Sequence, residues 1–229
     1  RKADTTQLAS QRRIRYLPTT LPPIPKHRSA TQSRRQIHKP MTTIVYLIGV
    51  PGAGKSTALA AAIDHLGWDT PELRTQPFAH SWYERPNAAV LGKQRSTFPG
   101  TDTLALGVNP KAIQFIQTTD AKLVLGEGDR LANVKFLTAA TQTGETVLIN
   151  LHLPATVAYQ RMLNRADNLD IPPQKESWWN GRATKTHNLK QLKLPGLRHE
   201  TVNGTQTVEH IAEQIADIID YATPKTTRK

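Results

Sequence analysis

The chain has 229 residues, of which 38% are hydrophobic and 21% charged, with a formal net charge of +12 and no cysteine. That length supports one ordinary domain with a substantial core, and the lack of cysteine excludes disulfides and thiolate metal sites. No apolar run approaches the roughly 20 residues that span a bilayer, so a cytoplasmic protein with no membrane partner is expected.

Residues 1–40 hold ten Lys and Arg against a single acidic residue, Asp4, a net of +9, whereas residues 41–229 net only +3. The first segment is poor in large apolar residues and contains Pro18, Pro22, Pro23, Pro25 and Pro40. It cannot bury enough apolar surface to offset the entropy of ordering, so a disordered extension is expected. Three readings stay open for it: a basic arm touching nucleic acid, an organelle-targeting segment, or upstream sequence without a role. Met41 then opens the folded unit, 41–222, and 223–229 form a basic tail.

Ile44-Val45-Tyr46-Leu47-Ile48 is an apolar, β-branched run that predicts a strand. Gly49-Val50-Pro51-Gly52-Ala53-Gly54-Lys55-Ser56 follows, and a helix-compatible stretch over 57–66 comes next. This is G-x-x-x-x-G-K-[ST] in a strand–loop–helix context, the pattern of a phosphate-binding loop. Its glycines let successive N–H groups curl inward, and the following helix adds its positive dipole end. Gly49, Pro51, Gly52, Ala53, Gly54, Lys55, Ser56 and Thr57 are therefore the expected nucleotide-binding residues. Lys55 is expected on the β- and γ-phosphates and Ser56 on Mg²⁺.

Residues 78–84 and 88–92 read as two short strands joined at Arg85-Pro86-Asn87, an inserted hairpin, with a loop over 96–102 after it. Asp102 in that loop is a carboxylate able to accept or orient an acceptor's hydroxyl proton; capping a local turn is its other reading. A helix over about 110–118 leads to a buried strand over 122–126. Glu127 and Asp129 stand at its end, where a phosphate-loop protein needs a carboxylate for Mg²⁺ or for the nucleophile. Side chains alternate along a strand, so only one of the two faces the phosphates. Glu127 is preferred, and Asp129 is assigned as the cap of a helix over 130–142; a solvated turn with no role is the alternative. Arg130 follows directly, within reach of a phosphate.

A strand over 146–151 and a helix over 154–166 come next, and that helix carries Arg161 and Arg165 on one face. Residues 167–198 read as irregular, with Pro172, Pro173, Trp178, Trp179 and Gly181, and they add Arg182 and Lys185. Phosphoryl transfer needs positive charge around the moving group and exclusion of water, commonly from arginines on a closing segment. A solvated basic face is the alternative for each of these side chains. His80, Trp82, Tyr83, Trp178 and Trp179 offer either faces for a base or simple packing. The helix over 206–221 keeps Val208, Ile211, Ala212, Ile215, Ile218 and Ile219 at helical spacing and is assigned to the core. Strands alternating with helices predict an α/β protein, a three-layer α/β/α fold around a mostly parallel sheet, with ligands at the carboxyl ends of the strands.

The chain resembles the P-loop kinase superfamily that includes the nucleoside monophosphate kinases. The likeness is carried by the loop at 49–56, the acidic strand end at 123–129, the strand–helix unit 147–165 ending in Arg-x-x-x-Arg, and Glu200-Thr201-Val202-Asn203-Gly204 before the last helix. It implies a P-loop NTPase fold, ATP, Mg²⁺ and phosphoryl transfer, with Lys55 and Ser56 carried over and Arg161 and Arg165 as charge-neutralising groups. Phe98-Pro99-Gly100-Thr101-Asp102, Gly126-Glu127-Gly128-Asp129-Arg130-Leu131 and Gly181-Arg182-x-Thr184-Lys185-x-x-Asn188-Leu189 are similar to phage-associated P-loop kinases. Some of those phosphorylate hydroxymethylated pyrimidine bases in DNA, which implies a DNA acceptor and a host cytoplasm. The chain departs from many monophosphate kinases in lacking Asp-Gly after the second strand. Its segment 70–104 also does not read as their helical monophosphate-binding region.

The expectation is therefore an ATP-dependent kinase that moves the γ-phosphoryl group to a nucleotide or to a hydroxymethylated pyrimidine base in DNA. Its expected catalytic set is Lys55, Asp102, Glu127, Arg130, Arg161, Arg165, Arg182 and Lys185, with Ser56 and Glu127 serving Mg²⁺. A kinase of a free nucleoside, nucleoside monophosphate or other small metabolite is the alternative within the class. A P-loop ATPase or nucleic-acid-binding switch is the alternative outside it.

Overall fold

Strand β1 (Thr43–Ile48) is buried at every position. Its alternation sends Val45 and Leu47 into the core on one side of the sheet and Ile44, Tyr46 and Ile48 into the core on the other. A strand covered on both faces belongs in mid-sheet, and β1 pairs in parallel with both β5 (Leu123–Glu127) and β6 (Thr146–His152). Beyond β6 lies the parallel β7 (Leu197–Asn203), and beyond β5 lies the parallel β4 (Ala88–Leu91). Strands β3 (His80–Tyr83) and β2 (Glu72–Arg74) continue that edge antiparallel, giving the order β2-β3-β4-β5-β1-β6-β7. The protein is a computed structural model that describes residues 41–93 and 99–223. The expectations for 1–40, for residues 96–98 of the loop and for the tail beyond Thr223 lie outside those residues.

The three expected layers are present. Helices α1 (Lys55–His65) and α6 (Val208–Ala222) cover one face with Ala58, Leu59, Ala62, Ile211, Ile215 and Ile219. Helices α2 (Asn109–Thr118) and α3 (Val134–Thr143) cover the other with Ala112, Phe115, Ile116, Phe136, Leu137 and Ala140. The expected hairpin is part of the main sheet, because β4 pairs with β5 and brings β3 with it. Strand β2 was not anticipated; Glu72 and Leu73 are exposed, so it shows no apolar alternation. No helix among the described residues is long and apolar enough to cross a membrane.

Two sequence expectations are corrected. Helix α3 starts at Val134, not at 130, because the Asn133 side chain accepts from Phe136 N at 3.0 Å; Asn133 is the cap and Asp129 is not. The stretch read as irregular holds a 15-residue helix, α5 (Glu176–Lys190), after α4 (Ala155–Asn168). Trp179 and Leu189 are the buried residues of α5, and two side chains ten positions apart make no stripe to read. Strands β1, β5 and β6 end at one edge of the sheet, so the phosphate loop, the acidic turn and the start of α4 converge there.

Candidate active site

From Ile48 the chain curls through residues 49–54 into α1, with Ala53 N donating to Val50 O at 3.0 Å. Gly52 has φ +88, and a Cβ there would stand 2.0 Å from the carbonyl oxygen of Ala158 on α4. Only glycine meets both demands. The first turn of α1 leaves backbone N–H groups without helical partners, which makes an anion site of the loop. Lys55 Nζ bends back over it, donating to Gly49 O at 2.9 Å and Val50 O at 3.3 Å. Burial pulls the Lys55 pKa down, against the opposing pull of Glu127, Asp102 and Asp129.

Glu127 closes β5 as a buried carboxylate, and its Oε1 accepts from Ser56 Oγ at 2.8 Å. Two hard oxygens at the mouth of a phosphate loop suit a small divalent cation. Burial pushes the Glu127 carboxyl up to about 6, with Lys55 and the Ser56 hydrogen bond pulling the other way. A raised value means that this carboxyl takes its proton earlier on acidification than an exposed glutamate does. Mg²⁺ affinity in the nucleotide complex is therefore expected to fall as pH drops through that value, by up to about tenfold per unit below it. Mg²⁺ titrations of activity between about pH 5 and pH 8 check this, and Glu127→Gln should flatten the dependence.

Asp102 lies in a short 3-10 turn, Thr101–Thr103. Its Oδ1 accepts from Asp129 N at 2.8 Å and Arg130 N at 3.1 Å, so one carboxylate oxygen caps the turn after β5 and not a turn local to Asp102. A residue the sequence placed only in a strand, Tyr46, fastens this loop from beneath. The buried Tyr46 hydroxyl lies 2.9 Å from Thr101 Oγ1 and donates to Gly128 O at 3.0 Å, while Thr101 Oγ1 donates to Glu127 O at 2.7 Å. These hydroxyls join the Asp102 loop to the Glu127 turn. Tyr46→Phe is expected to cost about 1–2 kcal/mol, since it strips buried polar atoms of a partner. Thermal unfolding checks this, with Tm lowered by about 2–8 °C.

Two cavities meet over the loop. The first, about 590 Å³, is lined by Gly52, Gly54, Ser56, Thr57, Arg161 and Arg165, among others. The second, about 510 Å³, is lined by Thr103, Gly128, Asp129, Arg130, Arg182 and Thr186, among others. Pro51, Lys55, Asp102, Gln174 and Trp178 line both. Each volume falls within the roughly 300–1,000 Å³ of small-molecule sites.

Arg161 and Arg165 are exposed on α4 at the first cavity. Arg130 lies at the second, its Nε buried and without a hydrogen-bond partner among the described residues. Arg182 lines the second cavity while pairing with the Asp129 carboxylate. Lys185 Nζ lies 3.0 Å from Asp129 Oδ1 and donates to Asp129 O at 2.8 Å, and it lines neither cavity. Asp129, expected to cap a helix, is the counter-ion of two cations on α5.

Of the aromatic candidates, His80 is buried against Phe78 and Phe115. Trp82 lies under Arg74, and Tyr83 packs on Trp68. None of the three lines either cavity. Trp179 is buried edge-on to Tyr159 and donates from Nε1 to Pro51 O at 3.1 Å, holding α5 to the phosphate loop. Trp178, 40% exposed, lines both cavities. The Tyr46 hydroxyl, the Asp129 pairing and Gln174 had no separate signal in the sequence. For Trp179 a signal existed, because two tryptophans in a polar stretch carry a large apolar area that favours burial.

The family model described as P-loop Nucleotide Kinase3 matches residues 41–220. No curated protein matches the chain. Among solved structures, a deoxyadenosine kinase from M. mycoides with bound dCTP is 13% identical, covering 78% of this chain and 99% of its own, with a TM-score of 0.41. A gluconokinase from Sinorhizobium meliloti 1021 is 17% identical over 81% of this chain and 94% of its own, with a TM-score of 0.46. A shikimate kinase from Acinetobacter baumannii in complex with shikimate is 18% identical over 82% and 97%, with a TM-score of 0.42. At these identities and scores the three carry nothing about what this chain binds.

Proposed function

This chain belongs to the P-loop Nucleotide Kinase3 family, and we propose that it transfers the γ-phosphoryl group of ATP to a nucleotide acceptor, free or within DNA. The observation that carries this reading is the meeting of two cavities at Lys55 and Asp102. A donor in the first and an acceptor in the second bring their reacting groups to one place, which supplies most of what phosphoryl transfer asks of a protein.

In this reading the backbone of 49–56 and Lys55 hold the ATP phosphates. Ser56 and Glu127 fit Mg²⁺, since their oxygens already stand 2.8 Å apart beside the loop. When bound, that ion neutralises charge on the β- and γ-oxygens. Arg161 and Arg165 add charge on the donor side and Arg130 and Arg182 on the acceptor side. Asp102 orients the acceptor's oxygen and receives its proton where that oxygen is a hydroxyl. The acceptor oxygen bonds to the γ-phosphorus as the bond to the β–γ bridging oxygen breaks, and ADP leaves.

Arg130 and Arg182 both line the second cavity, and two guanidinium groups there favour an acceptor with a negatively charged group. The full chain would be given γ-labelled ATP and Mg²⁺ with nucleosides, nucleoside monophosphates, ordinary duplex DNA and duplex DNA bearing hydroxymethyluracil. Label on a monophosphate or on either DNA supports the proposal and names the acceptor. Label only on uncharged nucleosides removes the role given to Arg130. Label only in released phosphate, with every acceptor present, puts the ATPase reading first.

A further inference from the structure

The acceptor-side cavity is walled by the phosphate loop, the loop carrying Asp102, the turn 128–132, and helix α5 with Trp178, Arg182, Thr186 and Leu189. Asp129 is bonded to two of the other walls. Its backbone N–H donates to Asp102 Oδ1 at 2.8 Å, and its carboxylate takes Arg182 on Oδ2 and Lys185 on Oδ1. Those two cations stand three residues apart on α5, so one carboxylate gathers one turn of the helix. The N-terminal half of α5 is held separately, by Trp179 on Pro51 O. With Asp129 counted once against Arg182 and Lys185, the three groups together keep one positive charge, and Arg130 lines the same cavity as Arg182.

We propose that Asp129 is a positioning residue for the acceptor: its carboxylate holds α5 as the wall of the second cavity and aims Arg182 into it. Asp129 lines the cavity, but its carboxylate is taken up by the two α5 cations, and it acts through Arg182. The proposal rests on the kinase reading in one respect, that the second cavity takes the acceptor. It places the residues 176–190 as a fastened wall rather than a free closing flap. Each of the three side chains in the pair network is about one-third exposed, at 31–37%, so solvent screens the pairing in part and the effect is moderate.

The experiment compares Asp129→Asn, Arg182→Gln and the double variant in the full chain. It measures KM for the labelled acceptor, KM for ATP, and hydrogen exchange over residues 176–190. Arg182→Gln removes the same pair from the helix side and leaves the turn 128–132 intact. Asp129→Asn is expected to raise acceptor KM about fivefold or more, leave ATP KM within about twofold, and speed exchange over 176–190. For acceptor KM the double variant should be no worse than Arg182→Gln alone, because Asp129 acts on the acceptor through Arg182.

Equal rises in both KM values would mean general loosening and would overturn the proposal, as would additive single effects. Faster exchange with an unchanged acceptor KM would reduce Asp129 to a helix anchor and overturn its positioning role. Unchanged exchange overturns the proposal whether or not any acceptor is labelled. If wild type labels no acceptor, the kinase reading falls and the positioning role falls with it, while faster exchange in Asp129→Asn would still identify Asp129 as the anchor of α5.

Discussion

Lys55→Ala is expected to lower kcat/KM for phosphoryl transfer by about 10²–10³-fold. Its ammonium is the cation held against the loop itself, donating to Gly49 O and Val50 O, with Glu127, Asp102 and Asp129 as the acidic groups acting on it. Bound phosphate oxygens are stronger acceptors for those N–H groups than neutral carbonyls. Alanine removes the donor at the point shared by both cavities, where the proposed transfer develops charge. The fold should survive, because Lys55 opens α1 and alanine is the strongest helix former. Steady-state kinetics beside a thermal melt make the check. A loss of activity with unchanged Tm is the expected pair of results, and full activity would remove Lys55 from the mechanism.

Gly100→Ala is the second large effect, and its cause is geometric. Gly100 has φ 73 and ψ −152, a region reached almost only by glycine and costing other residues about 1–3 kcal/mol. An added Cβ would stand 1.8 Å from Glu127 Oε1 and 3.1 Å from Glu127 O. The carboxylate end can swing aside, but doing so breaks its hydrogen bond with Ser56 and moves the oxygen proposed for Mg²⁺. The expected result is a lowered Tm together with about a 10²-fold loss of transfer at limiting Mg²⁺, partly recovered as Mg²⁺ is raised. A lowered Tm with activity intact at every Mg²⁺ concentration would separate Glu127 from the metal.

Both effects trace to residues of different standing in the sequence. Lys55 belongs to a motif whose spacing is local: a strand, a loop of fixed length and a helix start lie within a few turns of chain. Gly100 stood in the sequence only as part of a motif, and the need for glycine there comes from the fold, which brings its backbone against a side chain 27 positions away. Ser56 and Glu127, 71 residues apart, were each expected to serve Mg²⁺, and their hydrogen bond brings the two oxygens together beside the loop. The same distinction separates the arginines. Arg161 and Arg165 share a helix face and stay together at one cavity. Arg182 and Lys185 were grouped by proximity in sequence, yet Arg182 lines the second cavity and Lys185 is turned to Asp129.

What the amino-acid sequence determined by itself is whatever short-range geometry dictates. That covers the phosphate loop, the buried β1, β5 and β6, the apolar stripe of α6, and hence the layered α/β fold. Periodicity and turn chemistry act between neighbours, so a single strand of text carries them. The tertiary structure alone decided that α5 is a helix, that Asp129 is a counter-ion, and that the Tyr46 hydroxyl ties two loops together. Helix α5 has no apolar stripe; it is held at the loop by one indole and at the turn by one carboxylate, both contributed across more than 50 residues of sequence. Ion pairs and single hydrogen bonds of that kind follow from which walls meet, and periodicity carries no record of them.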